Sequence, residues 1–128
     1  MADDRSAPVR IGGKDYEMIL TTRATKEIAK RYGGLSNLGE KLMKTENFEM
    51  ALDEIVWLIT LLVNQSVLVH NLQNPEDKKE MLTEEAVELL TSPFELVEYK
   101  DSIMQAMMKG AKRDVESEDD SSKTALVA

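Results

Sequence analysis

The sequence predicts a mainly α fold of the α+β kind: a small N-terminal β-hairpin, helices packed around a central buried helix, and a disordered acidic C-terminal tail. Three observations carry that prediction. First, the run Ile55-Val56-Trp57-Leu58-Ile59-Thr60-Leu61-Leu62-Val63 lies inside a helical stretch over 47–71, whose polar residues Glu49, Asp53, Thr60, Asn64 and Asn71 fall on one narrow seam. Second, a Gly12-Gly13 pair separates two segments in which apolar and polar residues alternate. Third, from Ala111 onward the periodicity is lost, and the acidic, serine-rich chain offers too little apolar surface to offset the entropy of ordering. The expected organisation is a disordered lead over 1–7, one helical domain with its hairpin over 8–110, and the tail over 111–128.

Taken in order, Pro8-Val9-Arg10-Ile11 and Lys14 through Leu20 form the hairpin, because a Gly-Gly pair accepts the positive φ angles of a tight two-residue turn. Thr21 or Thr22 caps a helix from Arg23 to about Tyr32, with Ala24, Ile28 and Tyr32 on one face and Gly33-Gly34 ending it. A shorter helix over 36–43 follows, with Leu38 and Leu42 facing inward and Gly39 weakening it. The central helix comes next. A helix apolar on so much of its circumference is either covered by other elements or placed in a membrane. The membrane reading is set aside on length, since the nine residues between Glu54 and Asn64 fall short of the ~18 that a span needs. Asn74-Pro75 and the charged cluster over 76–80 read as an exposed connector. Thr83 caps a helix over 84–90. Ser92-Pro93-Phe94-Glu95 is the best-punctuated helix start in the chain, a capping box with proline at the first helical position. The helix it opens is expected to stop at Gly110, with Leu96, Val97, Tyr99, Ile103, Met104, Met107 and Met108 on one broad apolar side.

The chemical inventory is sparse. There is no cysteine and one histidine, His70, which reads as structural or surface-exposed near a helix end. The pairs Glu49-Asp53 and Asp53-Glu54 read as a solvated acidic seam, and Gly12-Gly13-Lys14 as a turn, because it joins two strands and lacks the pattern of a phosphate-binding loop. No catalytic residue, metal or cofactor is expected. A net charge of −8 argues against nucleic acid as the main ligand. The remaining signal is adhesive. Trp57 lies beside the polar seam, so either another element, the C-terminal helix foremost, packs over it or it is a half-exposed partner anchor. Met104, Met107 and Met108 either fill the core or offer an adaptable binding surface, together with Leu96 and Tyr99.

Val9-Arg10-Ile11-Gly12-Gly13-Lys14-Asp15-Tyr16-Glu17, the strand to Leu20, the helix with Lys26-Glu27-Ile28 and Gly33, and Phe48 through Val63 together resemble the tail assembly chaperones of long-tailed bacteriophages and prophages. The resemblance spans roughly residues 8–72 and holds no catalytic signature. It implies a non-enzymatic protein of the bacterial cytoplasm, absent from the mature virion. Such a protein keeps the tape measure protein soluble and helps recruit tail tube subunits. It also implies that this chain corresponds to the short form, made beside a longer frameshifted product. Two other readings stand beside it: a structural virion component, such as a head-tail connector or minor tail subunit, and an acidic regulatory adaptor. Membrane and nucleic acid are not among the expected partners, and a homo-oligomer is left open.

Overall fold

Gly12 and Gly13 take φ values of 59° and 80°, a conformation that side chains with a Cβ resist, and they close a two-residue turn between β1 (Ser6–Ile11) and β2 (Lys14–Ile19). The computed structural model describes residues 5–44 and 48–127, with side chains over 5–38, 40–41 and 52–110. The strands pair antiparallel, Val9 opposite Tyr16 and Ala7 opposite Met18. Ala7, Val9, Ile11 and Met18 therefore share one face, and all four are buried. Ser6 and Ala7, assigned by the sequence reading to a disordered lead, belong to β1. Strand pairing orders them, and the Ser6 carbonyl accepts a hydrogen bond from Lys109 Nζ at 2.9 Å. Arg5 forms a turn before the strand, and 1–4 lie outside the described residues.

Thr21 caps α1 (Thr22–Tyr32), its hydroxyl accepting from the Ala24 amide at 3.0 Å, and Gly33 ends the helix at φ 88°. Thr21 also donates to Gln65, tying the start of α1 to the central helix. α2 (Leu35–Lys44) buries Leu38; the expectations for Gly39 and Leu42 fall outside the described side chains. The central helix, α3 (Phe48–Gln73), lies against β2 and is fully closed to solvent at Ile55, Leu58, Ile59 and Leu62. Its Leu52–Gln73 segment is long and apolar enough to cross a membrane by length and composition, so the length argument made from sequence does not hold. Half of the segment's most apolar 18-residue stretch is buried inside the fold. Asn64, which seemed to cut the apolar run short, is itself buried.

The polar seam of α3 fastens the following connector to the helix. Asn64 Nδ2 donates to the Leu82 carbonyl and Asn64 Oδ1 accepts from the Leu82 amide, both at 2.7 Å. One heptad on, Asn71 repeats this with Lys79 at 3.0 and 2.8 Å. His70 Nε2 meets the Asp77 carbonyl at 2.8 Å, a structural use of the single histidine. At Asn64 and Asn71 the seam thus clamps the connector backbone, whereas Thr60 donates to the Val56 carbonyl of its own helix and Asp53 is exposed. At its far end Glu49 lies outside the described side chains.

α4 (Glu84–Leu90) starts at its Thr83 cap. α5 (Pro93–Val127) starts at the Ser92 cap, where the Glu95 amide donates to Ser92 Oγ at 3.4 Å and Ser92 Oγ donates to Glu95 Oε1 at 3.1 Å. α5 crosses the hairpin from its turn end, where the Tyr99 hydroxyl donates to the Arg10 carbonyl, to its open end, where Lys109 meets Ser6. Gly110 does not stop the helix. It lacks the left-handed φ of a C-cap, and the helix continues to Val127. Its role is steric: a Cβ there would lie 2.7 Å from Leu20 Cβ and 2.9 Å from the Leu20 carbonyl oxygen. Glycine lets α5 touch the end of the hairpin. Over 111–127, where the sequence reading expects a disordered tail, the backbone continues as helix, and the side chains there lie outside the described ones.

Candidate functional site

The described part of α5 carries two rows of residues with the same 3-4-3-4 spacing. Leu96, Tyr99, Ile103, Ala106 and Gly110 form the inner row, and each is buried. The elements facing α5 are β1, β2 and α3. Phe94, Val97, Asp101, Met104 and Met108 form the outer row, offset by two positions and so turned by ~200°. Phe94 is 82% exposed, Met108 66% and Val97 42%, while Met104 is half-buried at the core's edge. The helix is therefore apolar on opposite sides, and only one side is covered within the fold.

Both α4 and the first turns of α5 carry exposed acidic groups. Glu95, Glu98 and Asp101 are exposed on α5, as are Glu84, Glu85 and Glu88 on α4. α4 ends in Leu89, 76% exposed, and Leu90, which leans over the hairpin turn: a Cβ built on Gly12 would lie 3.2 Å from Leu90 Cβ. Two residues, Thr91 and Ser92, separate these leucines from Pro93. Tyr99 stands at the inner edge of this region. Its hydroxyl proton lies between the Arg10 carbonyl and Glu95 Oε2, the latter at 3.1 Å. Burial first, then the hydrogen bond and charge of Glu95 and the charge of Glu98, push its pKa up to about 12.

The six residues singled out from sequence are not brought together as one surface. Leu96, Tyr99 and Met107 are core residues, Met104 is half core, and Met108 alone of the methionines is well exposed. Trp57 is half-buried on another side. Arg31 at the end of α1 stacks over it, 4.4 Å from guanidinium carbon to ring centroid, and Tyr32 meets it edge-on at 5.9 Å. The covering element is α1 and not the C-terminal helix. Arg31 is fixed in turn by Glu54 at 3.4 Å, and Lys41 reaches the same carboxylate at 3.2 Å.

Sequence reasoning missed Phe94, Leu89 and Leu90, and it grouped Val97 with residues that point the opposite way. The signal was present. Two interleaved 3-4-3-4 rows, one ending in glycine and one holding an aspartate, were read as one broad stripe.

Two clefts complete the surface. One of about 660 Å³ lies between β2, α3 and the connector, with Tyr16, Val67 and His70 among its walls beside charges of both signs. A second of about 440 Å³ is bordered by Leu68, Leu72, Arg23 and Lys78. Among the described residues no group of three His, Asp or Glu is placed to hold a metal ion. Among the described residues the fold thus presents a mainly helical protein with one apolar helix face left uncovered. No family model matches the chain, and neither does any curated protein or solved structure.

Proposed function

We propose that this protein is a binding chaperone of phage tail assembly, which holds apolar helices of a tape measure protein in solution and helps recruit tail tube subunits. The observation that supports the reading is the outer row of α5: Phe94, Val97 and Met108 stand uncovered on a chain of net charge −8. An acidic exterior keeps such a protein from indiscriminate association while a bounded apolar face holds a client. We assign the holding site to Phe94, Val97, Met104 and Met108. Action is proposed in the bacterial cytoplasm.

The test expresses the native gene with its downstream DNA, N-terminally tagged, beside the next long open reading frame. Retention of a long helical client by the tagged protein is expected, as is its loss in Phe94→Asp with Val97→Asp, whose circular dichroism should match the parent. A tagged protein that retains no client, or that instead enters purified particles, would end this reading in favour of a virion subunit.

A further inference from the structure

The outer row of α5 has a defect that specifies its occupant. Phe94, Val97, Met104 and Met108 follow the spacing of a coiled-coil seam over about four turns, and the middle position of that seam is Asp101. A helix laid along the row would cover the Asp101 carboxylate, which then needs a cation opposite it.

A second copy of this chain cannot supply one. Phe94 and Met108 each lie seven residues from Asp101, so an in-register parallel pair of these rows opposes Asp101 to Asp101, while an antiparallel pair sets Asp101 opposite Val97 or Met104; no position of the row carries a cation. Like charges brought together in a closing seam repel strongly. The chain's net charge of −8 favours the same partner charge, and Glu98 is exposed next to Val97.

We infer that the occupant is a basic amphipathic helix of another protein, with an apolar 3-4 row interrupted by one lysine or arginine in register with Asp101. This rests on the proposed chaperone reading and names the chemistry of its client. The apolar row gives affinity, the Asp101 contact fixes register, and the net negative charge of the chain speeds encounter.

Labelled four-turn synthetic peptides, titrated against the full chain by fluorescence anisotropy, test it. All carry leucine along the seam and differ at one central position, lysine in one and glutamate in the other. The lysine peptide is expected to bind about tenfold or more tighter. With Asp101→Lys the order should reverse, and Phe94→Asp with Val97→Asp should lose both peptides while keeping the parent's thermal melt. Equal binding of the two peptides, binding of neither, or binding that survives the Phe94 and Val97 changes overturns the inference. So does a dimer in sedimentation that Phe94→Asp dissolves, because the second copy would then be the occupant. Peptide selectivity without retention of a tape measure protein would remove the chaperone reading alone; retention without selectivity would remove this inference alone.

Discussion

Tyr99 joins the last helix to the first strand through one hydroxyl, and its raised pKa makes that joint sensitive to alkali. The group is neutral in the fold and its folded pKa lies above the ordinary tyrosine value. Its contribution is therefore complete below pH ~10 and is lost as pH rises toward about 12. Urea unfolding at intervals from pH 9 to 12 should show the parent losing more stability over that window than Tyr99→Phe, which carries no titrating phenol. At neutral pH the same variant should be less stable by ~1 kcal/mol, since the Arg10 carbonyl loses its donor. Equal pH slopes for the two proteins would contradict this account. Gly110 supplies a second test. Alanine there gains ~1 kcal/mol of helix propensity, but its methyl would press on Leu20 side chain and backbone at under 3 Å, an overpacking that costs ~1–3 kcal/mol. Gly110→Ala should lower the melting temperature, and a rise would show that the close approach is not needed.

At the scale of elements, α5 explains why sequence patterns located the helices better than the surface. Thr83, Ser92-Pro93 and Gly33 act through local hydrogen bonds and φ preferences, so the starts of α4 and α5 and the end of α1 could be read directly. Which apolar row of α5 faces inward depends on a distant strand, and no local rule encodes that. Gly110 shows the same limit. Its residue type fits a helix stop, and only the neighbouring Leu20 reveals a packing role. Asn64 and Asn71 fit a solvated seam equally well until the connector is seen bonded to them. The two rows predict opposite responses to one chemical change. Met107→Asp places a charge in the core and should unfold the protein or cost several kcal/mol, more than ~3. Met108→Asp, at an exposed position, should stay within ~0.5 kcal/mol of the parent. Equal melts for both variants would refute the assignment of the rows.

Over the whole molecule, the hairpin is the platform on which the two long helices meet, α3 against β2 and α5 against β1. The longest-range fastenings connect positions far apart in sequence: Arg10 with Tyr99 across 89 residues, and Ser6 with Lys109 across 103. A ribosome adding ~5–20 residues per second needs roughly 4–18 s to extend the chain from Arg10 to Tyr99 and roughly 5–21 s from Ser6 to Lys109. Through that interval the nascent hairpin exists without its second helical support, and its apolar face is covered from one side at most. The final closure is therefore timed by translation of the last helix, so slow codons between α3 and α5 should prolong a sticky intermediate while leaving the finished protein's stability unchanged.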